Sequence, residues 1–429
     1  MVLARFLLFL CVFLAPLRAL AAAPTDLPSL LLVTAAASEA AYRGELPELL
    51  RARLVAAGWQ IASYETSGHR GTVGRFFHMV RTDADGAETH LIAFPGTERG
   101  SDVWTDLRIG RAVFGGTTPA EFLSMREAPV TERGETPLVH RGFLDYTQAA
   151  LFTDALPAYG GRTAGEAIAD ELRAYPDAQI YLTGHSLGGA AAVLAAARLS
   201  DLGVSPEQLI VTTFGAPAVG NAAFARRYEG KFTLRRVVMS GDPMKDILAK
   251  PLGFQQFGER VTWSPARSVA KFPHAMTVYV DAAIRRLCDA YGGERAYLFL
   301  MGTPDRTAGR TLYTLPIETK MDEVLTEDAP YMAAVLRDAL HVRSAHTVFA
   351  AGGGGLHEHL AAARAAGAQE MIAYRIAGTK IRDAHETYRI TLEHAVYDMD
   401  GNLIAAGSRS ARTGMLTPIE TVLYLFAQD

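Results

Sequence analysis

Residues 181–192 read YLTGHSLGGAAA, and no other stretch of the chain narrows its possible folds so far. An apolar run suited to a buried strand gives way within a few residues to small residues suited to a closely packed helix. Between the two, Gly184, His185, Ser186, Leu187 and Gly188 spell G-x-S-x-G, in which a serine stands on a sharp strand-to-helix turn. The glycines tolerate the bend and let helix and strand approach closely, so Ser186 is lifted clear of the sheet. A hydroxyl in that place is a candidate nucleophile. It needs a base, an acid to hold the base, and donors for an oxyanion.

The pattern around this turn alternates. From about Pro28 to Gly293, helical stretches (SLLLVTAAASEAAY, LPELLRARLVAAGW, TAGEAIADELRAY, AAAVLAAARLSDLG) are interspersed with buried-strand runs (AQIYLTGH, QLIVTTFG, LRRVVMSG). GRFFHMVRTDADGAETHLIAF reads as two strands joined by a turn. Strands alternating with helices predict an α/β fold with a mainly parallel central sheet covered on both faces. After Tyr291-Gly292-Gly293 the character changes. RAYLFLM and TLYTLPI read as strands, APYMAAVLRDALHV and LHEHLAAARAAG as helices, and YRITLEHAVYDMDGNLIAAGSRS as a hairpin turning at Asp398 to Asn402. The expected organisation is a first domain over 28–292 and a smaller C-terminal α/β domain over 293–429. A fragment ending at Gly292 is then expected to fold and retain activity.

With 429 residues, 49% of them hydrophobic, the chain can bury one large core and more. A formal net charge of −4 and the lack of a long basic run give no reason to expect a nucleic-acid partner. Arg5, the apolar stretch Phe6 to Ala15 and the small residues of LRALAAAP outline a secretory signal over 1–21, with Ala19-Leu20-Ala21 as its cleavage site. Cys11 falls in that signal, which leaves Cys288 without an intrachain partner. GGGG at 352–355 lacks a following G-K-S/T and reads as a flexible connector, not a phosphate loop. His357 and His359 lie too close in sequence to share one helix face as metal ligands, and read as a solvated helix start.

The missing catalytic groups lie downstream of Ser186. RRVVMSGDP delivers Asp242 just past an apolar strand, where acids of open α/β sheets act, with Asp246 as the nearby competitor. KFPHAMTVYV places His274 before a helix, and it is the only histidine between Ser186 and the expected domain boundary. The backbone N–H of Leu187 is one expected oxyanion donor, and HLIAFPGTERG offers Thr97 as the other. His185, inside the turn itself, has the surroundings of a structural residue.

FPGT at 94–97, WTDL at 104–107, VHRGF at 139–143, TGHSLGGA at 183–190 and FGAPAVGN at 214–221 occur in an order that resembles the class 3 lipases. The resemblance runs from about Leu30 to Ala290. It implies an α/β-hydrolase fold, a triad of Ser186, Asp242 and His274, and an oxyanion hole of Thr97 and Leu187. It further implies a structural role for His140 and a loop-holding role for Asp106. Pro95 stands where the family usually has Arg, and DPMK replaces the usual D-x-V-P.

The resemblance implies hydrolysis of lipid or other ester substrates through an acyl-enzyme, without cofactor or metal. Leu107 to Leu138 lies where the family carries its lid, and Val113, Phe114, Phe122, Leu123 and Met125 suggest a flap with an apolar side for transient lipid-surface contact. The alternative from another class is an exported envelope adaptor or lipid-binding protein with a vestigial hydrolase domain. In that case the C-terminal domain would bind a partner.

Overall fold

The computed structural model describes residues 26–82, 86, 88–97, 110–130, 134–247, 252–270, 273–292, 311–343, 346–381, 387–414 and 416–428. The expected signal over 1–21, the strand RAYLFLM and Asp106 lie outside them. Contacts divide the chain into two compact units: Met1–Pro47 with Trp59–Trp263, and Glu48–Gly58 with Ser264–Asp429.

The first unit is built on a seven-stranded sheet. Its strands are β1 (Trp59–Ser67), β2 (Val73–Thr82), β3 (Glu88–Phe94), β4 (Ile180–His185), β5 (Leu209–Phe214), β6 (Thr233–Met239) and β7 (Glu259–Trp263), which lie side by side in chain order. β1, β2 and β3 pair antiparallel, and every pairing from β3 to β7 is parallel. That is the mainly parallel α/β-hydrolase sheet the sequence leads one to expect. Every residue of β4 is buried, as a central parallel strand covered on both faces requires. Successive residues of β4 show the two covers. Thr183 Oγ1 lies 3.0 Å from Ser38 Oγ of helix α1 (Leu27–Ala40), whereas a Cβ on Gly184 would strike the first turn of the helix that follows Ser186. β1 and β7 are not legible in the sequence. Both are edge strands with polar residues facing solvent, so neither shows the apolar run that marks the interior ones.

The stretch from Leu107 to Leu138 departs from expectation. In its described part, residues 110–130 and 134–138, Phe114 and Phe122 are both about 1% exposed and belong to the main core. The Phe114 ring meets Phe122, Phe224 and Tyr228 edge-on at 5.3 to 5.6 Å. Arg126, equally buried, makes a bidentate pair with Asp145 at 2.6 and 2.9 Å, and Arg198 donates to the Gly116 carbonyl at 2.6 Å. Two of the five apolar residues expected on a lipid-facing flap are therefore core anchors, and this part of the excursion is fastened to the body of the fold.

The second unit contains α2 residues from Glu48 onward (α2 spans Glu45–Ala56), α3 (Met276–Tyr291) and a mixed sheet. The sheet comprises β8 (Leu312–Thr314), β9 (Glu318–Met321), β10 (Thr347–Phe349), β11 (Glu370–Lys380), β12 (Tyr388–Tyr397) and β13 (Leu403–Arg412). β8 and β9 both run parallel to β11, and β11, β12 and β13 form an antiparallel meander. The hairpin turns where expected, with the Asp398 carboxylate accepting from the N–H groups of Asp400 and Asn402 at 2.9 and 2.8 Å. Helix α4 (Ala329–Arg343) and the unforeseen α5 (Pro418–Ala427) pack together, with Phe426 against Tyr374, while α6 (Leu356–Ala365) closes over Met371 and Tyr313. His357 is exposed, as a solvated helix start implies. His359 is not: it is buried, its Nδ1 3.5 Å from the Tyr313 hydroxyl.

Candidate active site

Ser186 sits where β4 breaks into a helix over Leu187–Asp201, at φ 54° and ψ −119°. Among the described residues it is the only non-glycine with positive φ. That conformation costs on the order of 1–3 kcal/mol, so the surroundings must enforce it. They do so through glycine. A Cβ on Gly184 would lie 2.3 Å from the Gly188 carbonyl carbon, and one on Gly189 would lie 2.7 Å from Ala216 Cβ. The Ser186 N–H donates to the Phe214 carbonyl at 3.0 Å, and the Ser186 carbonyl accepts from Ala190 N–H at 3.1 Å. Strand, turn and helix are thus in backbone contact.

Gly188 serves a second purpose. A Cβ there would fall 2.1 Å from the Phe94 carbonyl oxygen and 2.8 Å from that of Pro95, so the loop leaving β3 lies against the start of the helix. That loop brings Thr97, whose hydroxyl is buried without a hydrogen-bond partner among the described residues. The N–H of Leu187, in the first helical position, belongs to the turn whose amides have no carbonyl within the helix to bond.

Tyr42 ties these parts from behind. Its hydroxyl is 2.6 Å from His185 Nδ1, and a Cβ on Gly96 would lie 1.9 Å from the same oxygen. The residue before the nucleophile and the residue before Thr97 therefore rest on one phenol, which sets His185 in a structural position. Sequence reasoning missed Tyr42, because nothing local marks a tyrosine whose partners lie far along the chain. His140 also faces inward. It caps the helix Arg141–Gln148, and burial, partly offset by Asp145, lowers its pKa to about 4.

Asp242 follows β6 by a short turn and is 1% exposed; its carboxylate accepts from the Met244 N–H at 2.8 Å. Thr97, Ser186 and Asp242 thus all follow the C-terminal ends of strands in the parallel part of one sheet, where open α/β sheets place their sites. The side chain of Asp246 is outside the described residues. His274 lies in the turn that leads into α3, partly buried, and belongs to the second unit.

With this geometry in view, residues 91–250 match the class 3 lipase family. The chain carries a class 3 lipase segment. The chain is 35% identical over 127 residues to a lipase of Rhizomucor miehei and 33% identical over 119 residues to one of Rhizopus niveus, covering 28% and 27% of this chain. These alignments span 31% and 28% of the two relatives' lengths. A rice phospholipase A1-II is 31% identical over 149 residues, which cover 32% of this chain and 36% of that protein. Among solved structures, the R. miehei triacylglyceride lipase aligns over 57% of this chain and 82% of its own, at 24% identity and a TM-score of 0.39. Ser186, Leu187, Thr97 and Asp242 all fall inside the lipase segment, and His274 falls beyond it.

Proposed function

We propose that this protein is a serine carboxylic-ester hydrolase acting on lipid acyl esters. The observation that carries the reading is the strained turn at Ser186, a non-glycine held at φ 54° by glycine-enforced backbone contacts inside a class 3 lipase segment. Strain of this kind persists where the surrounding structure over-determines it, as at functional sites. The orphaned Thr97 hydroxyl supports the assignment of the loop after β3 as one arm of the oxyanion hole.

In this reading His274 takes the Ser186 proton while Oγ attacks the ester carbonyl carbon. Asp242 orients the imidazole and stabilises its cation. The Leu187 N–H and Thr97 hold the oxyanion. Collapse breaks the acyl C–O bond, the imidazolium protonates the departing alcohol, and water activated by the same base releases the acid. Export, with residues 1–21 removed, belongs to the same proposal. It draws support from the signal-like N-terminus and from 38% identity over 98 residues to a protein of Gibberella zeae described as a secreted mono- and diacylglycerol lipase.

Incubation of the purified protein with a fluorophosphonate probe, followed by peptide mapping, tests this. Labelling at Ser186 together with hydrolysis of p-nitrophenyl butyrate is the expected result. An unlabelled, folded protein without esterase activity would overturn the reading.

A further inference from the structure

Four polar side chains in the second unit, Ser268, Asp281 and Asp328 buried and Arg285 partly buried, form a network that no step of the proposed reaction uses. Asp328 Oδ1 accepts from the Ser268 hydroxyl at 2.8 Å and pairs with the Arg285 guanidinium. Arg285 Nε in turn donates to Asp281 Oδ1 at 2.5 Å. Asp281 is 1%, Asp328 2% and Ser268 3% exposed, so the network is shielded from solvent screening. Alongside it, the Arg285 guanidinium lies 4.6 Å above the Tyr331 ring, and the Tyr331 hydroxyl donates to Asp289 at 2.8 Å.

The placement of these groups along the chain gives them meaning. Asp281, Arg285 and Asp289 are spaced four apart and share one face of α3. Ser268 lies in the short turn Arg267–Val269 on the other side of His274. Asp328 therefore grips the chain on both sides of His274, directly through Ser268 and through Arg285 on α3. The N-cap residue of α3 is Ala275, whose side chain has no group that can cap the helix. Among the described residues, one guanidinium, that of Arg285, is shared between the two carboxylates of Asp281 and Asp328.

We infer that Asp328 is a positioning residue for the catalytic base, and that the C-terminal region therefore forms part of the hydrolase machinery. This rests on the assignment of His274 as base. It also bears on the fragment ending at Gly292, which would keep α3 but lose Asp328 and Tyr331, the residues that hold it.

The test uses the full-length chain. Asp328→Ala should lower kcat for p-nitrophenyl butyrate by about 10- to 100-fold with KM within about twofold, measured well below the melting temperature. Asp328→Asn keeps an acceptor for Ser268 and should recover most of that loss. Leu360→Ala, in the separate cluster under α6, provides a control that lowers the melting temperature with kcat unchanged. Hydrogen exchange supplies a readout independent of activity: amides of residues 267–281 should exchange faster in Asp328→Ala than in Leu360→Ala. If Asp328→Ala does not fold, Ser268→Ala carries the same comparison with a smaller expected loss. A wild-type kcat with wild-type exchange in the folded variant overturns the inference. An inactive, unlabelled wild-type protein whose 267–281 exchange still depends on Asp328 leaves the positioning contact standing and removes the hydrolase reading.

Discussion

Ser186 is held by close backbone packing, whereas the segment carrying His274 is held by charged and polar side chains. Around the serine, Gly184, Gly188 and Gly189 bring backbone against backbone, and the turn is braced by residues as far along the chain as Phe94 and Ala216. Around the histidine, the fastening runs through Ser268 and Asp328, which are 60 positions apart. The first device consists of steric exclusion and hydrogen bonds, among them the one between Tyr42 and His185. The second consists of buried charge. Backbone contact tolerates almost no substitution but needs no partner domain. A charged network makes one region depend on another, and removing one partner leaves a buried charge uncompensated.

The largest effect expected from this comparison is at the nucleophile. Ser186→Ala should lower kcat by about four or more orders of magnitude while leaving the circular dichroism spectrum and melting temperature near wild type, since a hydroxyl on a turn adds little packing. Substantial residual turnover with unchanged KM would move the nucleophile elsewhere.

Next comes the acid. Asp242→Asn should cost about four orders of magnitude, as in other triads, and Asp246→Asn far less. Asp242 is buried at a strand end, and its carboxylate is already oriented by the Met244 N–H. If Asp246→Asn proved the more damaging, the acid would lie one turn further along.

Gly188→Ala probes the steric side of the comparison. Its Cβ would meet the Phe94 carbonyl oxygen at 2.1 Å, and backbone cannot swing aside as a flexible side chain can. We expect a loss of stability of about 3 kcal/mol or more in urea unfolding, together with impaired turnover because the Thr97 loop is displaced. A variant with wild-type stability would show that the loop after β3 is not braced by the nucleophile turn.

These contrasts also account for what the sequence discloses. The turn at Ser186, the strands β4, β5 and β6 and the hairpin at Asp398 could be read directly, because each is specified by consecutive residues. Asp242 was legible from its place after an apolar strand. Phe114 and Phe122 suggest one side of a flap in the sequence because an apolar residue in an irregular stretch looks alike whether it faces lipid or a core. Tyr42, Asp328 and Arg285 carried no local sign at all: their partners are brought near only by the finished fold.

The smallest effect concerns Glu39, the buried acid of α1, three residues before Tyr42. Burial pushes its carboxyl from 4.5 up to about 7. The folded chain thus prefers the protonated form more strongly than the unfolded chain does. The preference leaves stability intact below about 4.5, erodes it as pH rises toward 7, and imposes the full penalty above that. The ceiling on that penalty is about 3 kcal/mol, taking roughly 1.4 kcal/mol per pKa unit. Glu39→Gln removes the charge and keeps the shape, so it should raise the melting temperature at pH 8 and change it little at pH 4.5. Thermal unfolding of the two proteins at both values decides the matter. An equal gain at both pH values would assign the effect to packing. No gain at pH 8 would mean that the carboxylate finds solvation in the folded chain, and that the helix behind the nucleophile turn is less dry than its burial indicates.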